Sequence, residues 1–381
     1  MEFLTTEQGL LIKKVIAAGE IVHAISLDLR EQVASEAIDH IKIGVQVKEQ
    51  DQIFSRKIKT DYLSEQELGS TQSTVGQFLI IEFDETDEHG ATLDFDPGTS
   101  LTFMRPLHYR LFIEGDIETI YGKKWQTPVA GMPISREQNP QVDRLLKKTF
   151  EYDDYSLNYR LFQPAVVNKS LPLIVFLHGA GERGLKNEVH VRSSEGVTTF
   201  VNEDFQKQHP CYILAPQSRS VETLDYYWTD PQRQTAVIQL IQHLIKKQPI
   251  DPQRIYLVGM SMGGIGTFAM IRNYPGLFAA GVPICGIANI QKIVSAPDAP
   301  TYATLNRADV LPFKDVPLWL FHGVDDPVIS VKNSQTFYQL MKEMGSKNIH
   351  YTELAQGTGH ASWIPAFQNK KMKEWLLAQS Q

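Results

Sequence analysis

The chain has 381 residues, 42% of them apolar, and a formal net charge of −7. That length makes roughly two to three domains, and the composition supplies a core that folds without disulfide or metal staples. The charge is spread along the chain with no long basic block, which argues against a nucleic-acid or anionic-membrane partner and favours a soluble protein with a neutral or small substrate. Met1 to Glu7 lacks the basic start and long apolar core of a signal peptide, and no apolar run approaches a membrane span. A cytoplasmic setting is expected, with secretion the alternative where a leader has been removed. Cys211 and Cys285 each lie in or beside an apolar strand-like run and read as reduced core residues.

Along the first third of the chain, Ile21, Ile25, Leu27 and Leu29 share one parity, as do Ile41, Ile43, Val45 and Val47. Period two means strands. Further strand-like runs at 77–83, 91–95 and 108–113 are separated by His89-Gly90, Asp96-Pro97-Gly98 and Glu114-Gly115-Asp116. Short strands at this spacing predict a small β-sandwich over residues 1–121. Leu10 to Ile16 fits a helix or, through Ala18-Gly19-Glu20, a hairpin equally well. Between 122 and 142, Pro128, Gly131, Pro133 and Pro140 among few apolar residues read as a linker.

From residue 143 the pattern changes. Apolar runs at 159–162, 173–177, 211–215, 255–258, 281–285, 317–321 and 349–353 read as strands, and amphipathic helical patterns lie between several of them. One is 233–247, with Val237, Leu240, Ile241 and Leu244 on one face. Another ends at Gly345, a suitable residue after a helix C-terminus. Near-continuously apolar strands interleaved with helices predict an α/β domain with a mostly parallel sheet covered by helices.

Within that domain, Gly259-Met260-Ser261-Met262-Gly263 joins a strand to a small-residue helical run. This G-x-S-x-G fits the sharp turn that lifts a serine hydroxyl clear of a sheet. Acyl transfer through a serine also needs a base, a carboxylate to orient it, and donors for the oxyanion. His322 to Val328 follows a strand and supplies Asp326, with Asp325 the runner-up, where open α/β sheets hold their ligands. His360, in Gly357-Thr358-Gly359-His360, follows the last strand and completes the order Ser, Asp, His. His178 and His322, each at a strand end before a glycine, read as structural. The loop His178 to Gly184 offers an oxyanion N–H from Ala180, with Gly181 second, beside that of Met262. Glu182 and Arg183 suit a polar substrate group or a surface ion pair. Tyr226-Tyr227-Trp228 and Trp363 suit the wall of an acyl or aryl pocket or plain core packing. The histidines and acids do not recur at metal-ligand spacing, and no phosphate loop or dinucleotide fingerprint is present, so no metal or cofactor is expected.

Taken together, the runs Leu177 to Gly184, Gly259 to Gly264, His322 to Val328 and Gly359 to Trp363 resemble the α/β-hydrolase carboxylesterases. They look most like the bacterial esterases with an immunoglobulin-like domain ahead of the hydrolase, a group also labelled predicted peptidases or phospholipase/carboxylesterases. The first domain resembles that group more loosely, through Gln77 to Asp87 and Leu93-Asp94-Phe95. The resemblance implies Ser261 as nucleophile, Asp326 as acid, His360 as base, and Ala180 and Met262 as oxyanion donors. It also implies that the leading sandwich shapes active-site access or assembly, including a homo-oligomer. The function expected is a serine carboxylesterase acting on small acyl, aryl or phenolic esters. The alternatives are a serine peptidase using the same triad and a non-enzymatic binding module on a hydrolase scaffold.

Overall fold

The computed structural model describes residues 2–69, 71–165, 169–219, 227–294 and 299–381. The chain divides into two compact units, Met1–Asp94 with Phe103–Asp143, and Phe95–Thr102 with Arg144–Gln381.

The first unit is all β. One sheet runs Arg136–Gln138, Gly9–Ile16, Gly19–Ala34, Val75–Phe83, Ile58–Ser64, and another runs Met132–Ile134, Leu107–Glu114, Lys42–Glu49, Gln52–Ser55. The single-parity residues read from the sequence form its core: Leu27, Leu79 and Ile81 from one sheet pack with Val45, Val47 and Leu111 from the other. Leu10 to Ile16 belongs to a hairpin strand, with Ile16 opposite Gly19. The stretch 122–142, expected as a linker, instead carries the strands Lys124–Gln126, Met132–Ile134 and Arg136–Gln138. Its prolines and glycines fall between these short strands or, as Pro133, on the edge strand Met132–Ile134, where a missing N–H costs no ladder bond. Inside the sandwich, Arg56 is buried, its Nε donates to Asp87 Oδ2 at 2.7 Å, and its guanidinium lies 4.1 Å from the Phe83 ring centroid.

The second unit is built on an eight-stranded sheet, in the order Leu146–Tyr152, Tyr155–Phe162, Tyr212–Gln217, Leu171–Leu177, Ile250–Met260, Ala280–Ile284, Leu318–Gly323, Ile349–Leu354. The first two strands are antiparallel to their neighbours and the other six are parallel. Leu146–Tyr152 lacks an apolar pattern because it is a largely exposed edge strand, which is why periodicity misses it. The helix Pro231–Lys247 starts where Asp230 accepts from the Arg233 amide at 2.9 Å and Pro231 occupies the first turn. Its buried face carries Val237, Leu240, Ile241 and Leu244. No helix among the described residues is long and apolar enough to cross a membrane.

Candidate active site

The strand Ile250–Met260 and the helix Met262–Asn273 meet at Ser261, whose φ of 54° and ψ of −118° lie far from the regions open to ordinary residues. Two glycines make this crossing tolerable. A Cβ on Gly259 would stand 2.2 Å from Gly263 O, and one on Gly263 would stand 1.9 Å from Leu177 O. The close approach of strand and helix therefore admits no side chain at either place, and the turn presents the serine at the sheet edge.

Ser261 Oγ lies 2.9 Å from His360 Nε2, and His360 Nδ1 donates to Asp326 Oδ2 at 2.8 Å. The other carboxylate oxygen of Asp326 accepts the amides of Val328 and Ile329 at 2.8 and 2.9 Å. Burial alone would push this carboxyl upward. Hydrogen bonds from His322 and His360, the His360 charge and the Ile329 amide overcome that and hold it well below the usual carboxylate range. Asp326 is thus a fixed anion facing the imidazole. His322 is fully buried: its Nε2–H is shared between Ile329 O at 2.8 Å and Asp326 Oδ2 at 3.4 Å, and Nδ1 faces the Ser334 hydroxyl at 2.8 Å.

Asp325 does something different. Its carboxylate accepts the Gly357 amide at 2.7 Å and the Gly359 amide at 2.9 Å, which clamps the loop carrying His360. The two neighbouring acids divide the work, one orienting the ring and the other its loop.

The loop after the strand Leu171–Leu177 runs alongside. Ser261 Cβ and Glu182 Oε2 both lie within 4 Å of the point a Cβ on Gly179 would occupy. Ala180 opens a short 3-10 turn and Met262 opens its helix, so the first-turn N–H of Met262 has no intrahelical acceptor. His178 anchors the loop in a single tautomer. Its Nδ1–H donates to Gly179 O at 2.6 Å while Nε2 accepts the Ser218 amide at 2.9 Å. Burial lowers its pKa to about 4, so the ring is neutral near pH 7. Glu182 is buried rather than paired at the surface. One of its oxygens accepts from Ser193 Oγ at 3.0 Å, the other has no hydrogen-bond partner, and burial pushes the carboxyl up.

Trp363 meets the His360 ring edge-on at 5.5 Å between centroids. Of the two readings of Trp228, pocket wall or core packing, the structure favours the second: the ring is 1% exposed, and its indole N–H donates to His178 O at 2.9 Å and braces the loop from behind. Tyr226 and the side chain of Tyr227 lie outside the described residues. Sequence reading missed residues 95–102, which belong to the second unit. Thr102 Oγ1 lies 3.0 Å from a Cβ built on Gly181, and Arg183 donates to the carbonyls of Thr99 and Ser100. No local pattern announces a contact across so many residues.

Comparison with known proteins agrees with both halves. Residues 10–126 match the esterase Ig-like N-terminal domain, and residues 232–378 match the prolyl oligopeptidase family. A solved thermostable esterase is 32% identical, matching 98% of this chain and 100% of its own with a TM-score of 0.88. The chain belongs to that family of α/β-hydrolase esterases with an immunoglobulin-like N-terminal domain. Two curated proteins also resemble this Ig-like-domain esterase. Poly(3-hydroxyalkanoate) depolymerase C of Paucimonas lemoignei is 28% identical over 140 residues, 34% of this chain and 31% of the depolymerase. The chain thus spans about a third of that relative's length. The putative esterase YitV of Bacillus subtilis (strain 168) is 23% identical over 211 residues, 49% of this chain and 78% of YitV.

Proposed function

We propose that the protein is a serine carboxylesterase that hydrolyses small carboxylic esters, short-chain acyl or aryl and phenolic, through an acyl-enzyme on Ser261. The observation that carries this is the pair of hydrogen bonds from Ser261 through His360 to Asp326, 2.9 and 2.8 Å, with the serine on a strained turn. In this reading His360 Nε2 takes the hydroxyl proton as Ser261 attacks the ester carbonyl, and Asp326 stabilises the imidazolium. Ala180 and Met262 donate to the oxyanion, with Gly181 as second choice for the former. His360 then protonates the leaving alcohol and activates the water that releases the acid. General base catalysis of this kind contributes about 10²- to 10⁴-fold, and each oxyanion donor about 10²- to 10³-fold. Two free, buried cysteines, Cys211 and Cys285, fit a reducing, cytoplasmic setting.

The match of residues 232–378 to the prolyl oligopeptidase family favours one second reading, a serine peptidase, since the same triad cleaves amides. Aryl esters of graded chain length and chromogenic peptides, assayed side by side on wild type and Ser261→Ala, separate the two. Ester turnover that vanishes in Ser261→Ala, with little peptide turnover, supports the esterase. Peptide turnover that outruns ester turnover supports the peptidase. Ester turnover that persists undiminished in Ser261→Ala removes both readings.

A further inference from the structure

Directly after the strand Ala280–Ile284, Cys285 is fully buried close to the Asp326 and His360 side chains. Its backbone has a φ of 39°, rare for a residue with a side chain, and Phe321 O fixes its amide at 2.8 Å. Its Sγ lies 3.7 Å from the carbonyl of His360. One ligand atom from each of Cys285, Asp326 and His360 lies within 4.8 Å of the other two.

Thiolate, imidazole and carboxylate are all zinc ligands, and tetrahedral bonds of about 2.0–2.3 Å set ligand atoms about 3.3–3.8 Å apart. Small side-chain movements bring this set to that spacing. A divalent cation also balances one thiolate and one carboxylate where water is excluded, a pair of anions that burial otherwise penalises.

We propose that Cys285 Sγ, an Asp326 carboxylate oxygen and His360 Nδ1 form an inhibitory site for Zn²⁺ or another thiophilic divalent cation. The proposal rests on the triad reading above, because inhibition follows from what the ion does to the base. The ion bonds to the thiolate, the carboxylate and the Nδ1 lone pair. The Cys285 S–H bond breaks and its proton leaves to solvent. The Nδ1 proton also leaves and solvent returns one to Nε2, so the imidazole stays neutral and one proton is released per ion bound. With Nε2–H facing Ser261, the ring no longer accepts the hydroxyl proton. The ion therefore locks in the tautomer that catalysis cannot use.

The test titrates Zn²⁺ into the full-length wild type, Cys285→Ala and Cys285→Ser in chelator-free buffer. It follows ester hydrolysis and fluorophosphonate labelling of Ser261. Cd²⁺ on the same proteins reports thiolate ligation through its ultraviolet charge-transfer band. Expected are reversible loss of wild-type activity, recovery with EDTA, a Cd²⁺–thiolate band in wild type only, and half-inhibition shifted at least about 100-fold upward in the variants. Equal inhibition of wild type and variants overturns the site, as does a wild type with neither inhibition nor band. If neither variant folds, a wild type with neither inhibition nor band still overturns the site, and so does a Cd²⁺–thiolate band that saturates without loss of activity. Absence of labelling in metal-free wild type sinks the triad reading, whereas labelling that ignores Zn²⁺ sinks only the metal site.

Discussion

Replacing Asp326 by asparagine preserves shape and removes one charge at the point where the triad depends on it. The Oδ1 position accepts the Val328 and Ile329 amides, and the asparagine carbonyl can keep both bonds. That choice turns the amide NH₂ toward His360 Nδ1, 2.8 Å away, where a carboxylate oxygen stood. Two donors cannot face each other at that distance, so Nδ1 must accept and the ring proton moves to Nε2. The nitrogen beside Ser261 Oγ then carries the proton it is needed to receive. A wrong tautomer of this kind costs about 10⁴-fold in kcat, or about 5 kcal/mol of transition-state stabilisation. The assay is kcat for an aryl ester with wild type and Asp326→Asn, alongside circular dichroism to establish that the variant is folded. A folded Asp326→Asn with kcat within about tenfold of wild type would refute the reasoning, since Asp326 would then not set the tautomer.

Other consequences are open to similar measurement. Asp325→Asn keeps one acceptor for the Gly357 and Gly359 amides, so kcat should fall far less than in Asp326→Asn, whereas Asp325→Ala should loosen the His360 loop and lower kcat further. Equal losses in Asp325→Asn and Asp326→Asn would contradict the division of labour. The strained φ of 54° at Ser261 stores about 1–3 kcal/mol, so inactive Ser261→Gly should melt a few degrees above inactive Ser261→Ala; an equal or lower melting temperature speaks against stored strain. The lowered pKa of His178, about 4 when folded against about 6.5 unfolded, makes its neutral form a source of stability above pH 6.5. That contribution, about 3 kcal/mol, is lost as pH falls from 6.5 toward 4, so urea-unfolding free energy should drop across that window and drop less in His178→Asn. Parallel pH profiles for the two proteins would rule this out.

Much of the site is legible in the sequence because its residues sit at places where chain geometry leaves a mark. Gly259 and Gly263 are required by backbone approach, and Ser261, Asp326 and His360 each follow a strand whose apolar run is readable. The pair Asp325-Asp326 shows where such reading stops. Both are turn residues after the same strand, and only the fold sends one side chain inward to the imidazole and the other outward to the loop amides. Trp228 admits both a pocket-wall and a core reading in the sequence for a related reason: closeness along the chain to active-site loops does not specify which way a ring packs. The 122–142 stretch looked like a linker because edge strands tolerate proline and glycine, and the polar strand Leu146–Tyr152 carries no alternation to detect. Residues 95–102 meet Gly181 and Arg183 only through the tertiary fold, which no local signal encodes.

The most direct test of the central claim is to treat the purified protein with a fluorophosphonate and locate the adduct by intact mass and peptide mapping. One adduct per chain, on Ser261, and none in Ser261→Ala or in heat-unfolded protein, is the expected result. Stoichiometric labelling elsewhere, or no labelling of a folded, ester-hydrolysing protein, would contradict it.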